Sequence, residues 1–139
     1  MKFKKLDGTE ISCSISTGKH PMRPIEECKS NAQFYLGQKL RSIYGTHTPI
    51  LEEWGIPGTR LAIDFYLPTY KLAFEFNGSQ HDSYNSFFHH SKQDFLRQKV
   101  RDLRKKEWCE LNDIRLIIIR EDLSVEELKE RIYNEEDSV

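Results

Sequence analysis

The chain has 139 residues, enough for a single hydrophobic core and too few for two comfortable ones. With 37% hydrophobic and 31% charged residues, no apolar run of membrane-span length and no internal repeat, its composition excludes a membrane-spanning helix and a low-complexity chain. The net charge of -1 hides an uneven division: from Glu121 onward there are eight acids and two bases, so residues 1–120 carry 19 bases against 14 acids, a net +5, and the total does not exclude a nucleic-acid partner.

The start Met1-Lys2-Phe3-Lys4-Lys5 lacks the apolar stretch of a signal peptide, which gives the expectation of an intracellular, cytoplasmic protein. Cys13, Cys28 and Cys109 are odd in number, far apart and without a CxxC pair, so reduced thiols are expected rather than a disulfide framework or a structural zinc. One domain over 1–139 is predicted, with an N-terminal strand and loop in 1–29, a core in 30–123 and an acidic helix and tail in 124–139.

Along the chain, Ile11, Cys13 and Ile15 alternate in a short strand within Gly8–Ser16, and a loop follows to Pro24. Ser30 with Gln33 three residues on reads as a capping box, predicting a helix from Asn31 to Tyr44 that buries Phe34, Leu36 or Gly37, and Leu40, with Gly45 as its stop. Pro49–Trp54 is a further strand. Leu61–Asn77 reads as a β-hairpin, with Leu61–Leu67 and Lys71–Asn77 as its strands.

Ser91 and Asp94 open the longest helix, to about Asn112, with Leu96, Val100, Leu103, Trp108 and Leu111 as its expected core contacts. Its Asp94, Gln98, Asp102 and Lys105 share one face, and Arg97, Lys99, Arg101, Arg104 and Lys106 make it basic. Ile114–Arg120 is expected as a buried central strand. Ser124 with Glu127 caps a last helix that rests on Val125, Leu128 and Ile132. The order helix, strands, helix, strand, helix predicts an α/β fold, a mixed four- to five-stranded sheet flanked by helices.

The hairpin carries the chemistry. If Thr69 and Tyr70 form its loop, cross-strand partners sum to 139 and Asp64 lies directly opposite Glu75. Alternation supports this register, setting Leu61, Ile63, Phe65 and Leu67 with Leu72, Phe74 and Phe76 on one face, and Asp64, Tyr66, Ala73, Glu75 and Asn77 on the other. Opposed carboxylates have Cβ atoms about 5 Å apart and repel, so they need a counter-charge, for which Mg²⁺ is well suited. A competing reading is two acids on a solvated hairpin face.

Asp64, ten intervening residues and then Glu75-Phe76-Asn77-Gly78 resembles the PD-(D/E)XK nuclease superfamily. The loop that follows, with His81, His89 and His90, and the helix with Arg101-Asp102 look like its branch of very-short-patch repair endonucleases and phage homing endonucleases of the EDxHD group. The resemblance spans roughly Ser30 to Leu123. It implies a restriction-endonuclease-like core and a Mg²⁺-dependent DNA endonuclease, with Mn²⁺ able to substitute, and a phage or mobile-element origin.

Residue by residue, the resemblance implies Asp64, Glu75 and the Phe76 carbonyl as metal ligands, His81 as base or phosphate contact and Asp102 as its orienter. Gln33, Asn77 and Gln98 would position substrate or water, and Arg97, Arg101, Lys105 and His89 would meet nucleic acid. Two positions depart from the family: Gln33 stands where an acid is expected on the first helix, and Asn77 replaces the commonest lysine. A catalytically silent nucleic-acid-binding module and a structure-specific or RNA-directed nuclease are the alternatives. Duplex DNA is the expected partner, and recognition of a long site would need a homodimer or another protein.

Overall fold

The computed structural model describes residues 1–16, 18–78 and 92–134. The expectations placed on His81, His89 and the rest of the 79–91 loop, and on the tail 135–139, lie outside the described residues.

Two short strands, β1 (Lys2–Lys4) and β2 (Glu10–Ser12), pair antiparallel; β1 was not foreseen, and β2 is the middle of the predicted Gly8–Ser16 strand. Helix α1 runs from Asn31 to Tyr44 as predicted, because Ser30 Oγ accepts the Gln33 N–H at one end and Gly45, at φ 84°, turns the chain at the other. Then follow β3 (Leu51–Gly55), β4 (Ala62–Leu67), β5 (Leu72–Phe76), α2 (Lys92–Leu111), β6 (Arg115–Ile119) and α3 (Val125–Tyr133). The capping box of α3 is complete, with Ser124 and Glu127 bonding each other's backbone.

The main sheet has four strands in the order β3-β4-β5-β6. The first three are antiparallel neighbours, and β6 joins β5 in parallel through the α2 crossover. The β4–β5 pairs are Phe65↔Phe74, Tyr66↔Ala73 and Leu67↔Leu72, the predicted register.

Helices α1 and α3 cover one face, where Leu36, Leu40, Leu128 and Ile132 pack on Phe65, Leu67, Phe74 and Ile117. At Gly37 an added Cβ would stand 2.8 Å from Phe65 Cζ, so the absence of a side chain lets α1 lie this close to β4. On the other face Phe3 of β1, Trp54, Tyr66 and Ala73 meet Trp108 and Cys109 of α2. Trp54 stacks on Tyr66 with ring centroids 4.5 Å apart.

Three expectations are corrected. β6 is an edge strand of the main sheet, not a central one; Ile117 and Ile119 are buried on one face, while Leu116 and Ile118 on the other are only partly covered. Leu61 and Ile63 pack in the Phe3–Trp108 cluster rather than beside Phe65, because facing parity changes at Glu53 and Asp64, where Glu53 has a left-handed φ of 52°. In α2 only Trp108 of the expected core residues is buried: Leu96, Val100, Leu103 and Leu111 are 60%, 50%, 55% and 41% exposed. The inner face of α2 is instead the polar one, with Asp94, Gln98, Asp102 and Lys105 partly buried.

Candidate active site

Neighbouring strands β3, β4 and β5 carry Glu53, Asp64 and Glu75 at one level. The pairs Glu52↔Phe65 and Trp54↔Ile63 bracket Glu53 and Asp64. The β4–β5 register, continued one residue past Phe65↔Phe74, brings Asp64 to Glu75. Here side chains take over backbone hydrogen bonds: the Asp64 N–H donates to Glu75 Oε1 at 3.2 Å and the Phe76 N–H to Asp64 Oδ2 at 2.8 Å. Both carboxylates are buried.

Two lysines supply counter-charge. Lys29, just before α1, places Nζ 2.8 Å from Asp64 Oδ1 and 3.3 Å from Glu53 Oε1. Lys105, on the inner face of α2, places Nζ 3.2 Å from Glu75 Oε1. Burial pushes the Glu75 carboxyl up to about 7 and the Asp64 charge adds to the rise, while Lys105 and Lys29 oppose it. Burial pulls Lys29 toward neutrality, but the Asp64 charge and hydrogen bond, with Glu53 and Glu75, outweigh it and hold the ammonium above the ordinary lysine range. Even with both lysines beside the carboxylates, Glu75 remains harder to ionise than a free glutamate.

Glu52 forms a separate, fully buried node. Its Oε1 accepts the Arg23 N–H at 2.7 Å, and its Oε2 accepts Gln33 Nε2 at 2.8 Å and the Cys28 thiol at 3.3 Å. Burial, reinforced by Glu52, pushes the Cys28 thiol up to about 11, so it stays protonated as a donor. Gln33 links this node to the site, because Nε2 also donates to Glu53 Oε1 at 3.0 Å.

The structure thus brings Asp64, Glu75 and the Phe76 backbone together and puts Lys105, expected on the nucleic-acid face, against Glu75. Gln33 is buried between Glu52 and Glu53. Asn77 is buried just past β5, its N–H bonded to the Ile119 carbonyl at 2.9 Å. Gln98 and Asp102 share the inner face of α2 with Lys105. Arg97 and Arg101 are exposed, Arg97 reaching Asp94 at 3.1 Å.

Lys29 and Glu53 were missed. The run Leu51-Glu52-Glu53-Trp54 does place two acids inside a strand, a signal that Glu53 lines up with the hairpin pair once β3 is set against β4. Nothing in the sequence near Lys29 marks it.

Among the described residues no three His, Cys, Asp or Glu side chains converge into a cage for a metal ion. The donors at the hairpin are hard oxygens from two carboxylates, with the Phe76 N–H bonded to one of them. Hard oxygens of this kind are the donors that Mg²⁺ or Mn²⁺ takes, and here Asp64 Oδ1, Asp64 Oδ2 and Glu75 Oε1 already accept from Lys29, the Phe76 N–H and Lys105. A groove of about 660 Å³ runs beside β6, lined by Lys106, Arg115, Arg120 and Arg131 among others, and includes none of these carboxylates. No helix of the described residues is long and apolar enough to cross a membrane.

The chain is similar to viral proteins described as uncharacterized. It is 35% identical over 78 residues to protein 033L of Invertebrate iridescent virus 3, covering 56% of this chain and 40% of that protein. It is 36% identical over 74 residues to protein 307L of Invertebrate iridescent virus 6, covering 53% and 36%. Protein 094L of Frog virus 3 (isolate Goorha) is 32% identical over 112 residues, covering 80% and 66%. The chain therefore spans about two fifths of the length of the first two relatives. No family model and no solved structure matches it.

Proposed function

We propose that this chain is a metal-dependent DNA endonuclease built on a restriction-endonuclease-like core. The observation that carries the reading is the pair Asp64 and Glu75, two buried carboxylates opposed across adjacent strands at the point where the backbone ladder gives way to side-chain hydrogen bonds. Burying two acids together is unfavourable in itself, as the raised Glu75 carboxyl records. Such a cost is commonly retained where a cation or a developing charge must be met.

Asp64, Glu75 and the Phe76 carbonyl would hold Mg²⁺ or Mn²⁺. When bound, the ion would activate a water and offset charge on the phosphate as the water attacks phosphorus in line. Lys105 fixes Glu75 from α2, and the Phe76 N–H fixes the second oxygen of Asp64. By the family resemblance, His81, outside the described residues, would be the base or phosphate contact and Asp102 its orienter. Gln33 acts at one remove, by steadying Glu53. Exposed Arg97 and Arg101 on α2 supply contacts to the backbone of a duplex, which position it without reading sequence.

The test is cleavage of a linear duplex by the wild-type chain and Asp64→Asn, with Mg²⁺, Mn²⁺ or EDTA. Metal-dependent cleavage lost in Asp64→Asn supports the proposal. Salt-sensitive binding with no cleavage at any metal concentration would instead make the chain a binding module.

A further inference from the structure

The two lysines at the site differ in what they leave available. Lys105 is enclosed, its side chain only 14% exposed, and its ammonium meets Glu75. Lys29 keeps 55% of its side-chain surface although its ammonium reaches Asp64 and Glu53. An ammonium has three donors; on Lys29 one is hydrogen-bonded to Asp64 Oδ1, and Glu53 Oε1 lies within ion-pair distance at 3.3 Å. The third has no carboxylate partner among the described residues, and the exposed side chain leaves a path from solvent. Position 77, two residues past Glu75, carries a buried asparagine and brings no charge of its own.

We infer that Lys29 is the cation that meets the substrate phosphate at this site, and that Glu53, itself held by Gln33, is its positioning residue. The inference rests on the reading of Asp64 and Glu75 as a phosphodiester-binding site. Lys29 is tied at one side to Asp64, so a phosphate drawn to its third donor is brought beside the hairpin carboxylates. Glu53 stops the flexible four-carbon stem from swinging away. Glu53 is fixed in turn, because Gln33 Nε2 bonds its Oε1 and the buried Glu52 bonds Gln33. The residue type expected on α1 is thus replaced by a relay, Gln33 to Glu53 to Lys29, that begins on α1 and ends on Asp64.

The experiment measures duplex binding by fluorescence anisotropy in EDTA across a KCl series, and single-turnover cleavage in Mg²⁺. The full chain is used with Lys29→Met, Lys29→Arg, Lys105→Met and Glu53→Gln, and circular dichroism establishes that each is folded. Losing one phosphate contact lowers the slope of log affinity against log salt by about one. Lys29→Met is expected to show that drop and a cleavage rate reduced about a hundredfold, and Lys29→Arg to restore the slope. Lys105→Met should change the slope by less than half as much. Glu53→Gln should keep the slope and slow cleavage about tenfold, a loss of aim rather than of charge.

A folded Lys29→Met with wild-type slope and wild-type rate would overturn the inference and leave the endonuclease reading standing. The drop in slope, with no cleavage even by the wild-type chain, would sustain the Lys29 contact and overturn the endonuclease reading. Absence of salt-sensitive binding by the wild-type chain would overturn both.

Discussion

Buried carboxylates occur in two settings on neighbouring strands, and their partners set the two apart. Glu52 is surrounded by neutral donors that are themselves fixed: a backbone N–H, a buried amide and a protonated thiol. Asp64 and Glu75 face each other and are relieved by ammonium groups on flexible stems. The first arrangement satisfies a charge and has nothing left to offer. The second leaves one carboxyl displaced to about 7 and is stabilised by any further positive charge.

The largest effects are expected at the hairpin carboxylates. Asp64→Ala should lower metal-dependent cleavage by about a thousandfold or more, measured under single-turnover conditions, since it removes a carboxylate from the proposed ion. At the architectural side, Glu52→Leu strands the Gln33 amide, the Arg23 N–H and the Cys28 thiol, and should reduce stability by about 3 kcal/mol in urea unfolding. If Glu52→Leu abolished cleavage without lowering stability, the division between the two settings would be wrong.

A smaller effect is expected from pH. The Glu75 carboxyl is raised in the folded chain from 4.5 to about 7, so between those values the native state binds more protons than the unfolded one. Its contribution to stability is therefore present below about pH 4.5 and lost as pH rises through about 7. In EDTA the loss should be on the order of 2 kcal/mol by urea unfolding, and Glu75→Gln should remove this part of the slope. Saturating Mg²⁺ should flatten it as well, by favouring the ionised carboxylate. The smallest effect is expected of Cys28→Ala, which takes one of the donors from Glu52 and should reduce stability by about 1 kcal/mol.

Much of this comparison was legible in the sequence where local rules act alone. The short loop after Leu67 fixes the hairpin register and sets Asp64 beside Glu75, although the alternation expected along Leu61–Leu67 breaks at Asp64, and Ser30 and Ser124 mark the starts of α1 and α3. Legibility ends where an element serves the site instead of the core. The apolar spacing of Leu96, Val100 and Leu103 predicts an inward stripe for α2, yet the helix turns Lys105 inward to Glu75 and anchors through Trp108 and Cys109. Glu53 and Lys29 needed tertiary structure, because one is placed by the pairing of β3 with β4 and the other by the approach of the segment before α1. Gln33 shows both sides: its place in the cap was readable, and its bonds to Glu52 and Glu53 were not.

The claim that the hairpin carboxylates form a hydrolytic metal site is tested most directly by nicking of supercoiled plasmid. Wild type and Glu75→Ala would be compared in parallel, each with Mg²⁺, Mn²⁺ or EDTA. The account predicts nicking by the wild-type chain in either metal, none in EDTA and none above background by Glu75→Ala. Equal background in every lane, with plasmid still bound, would contradict it.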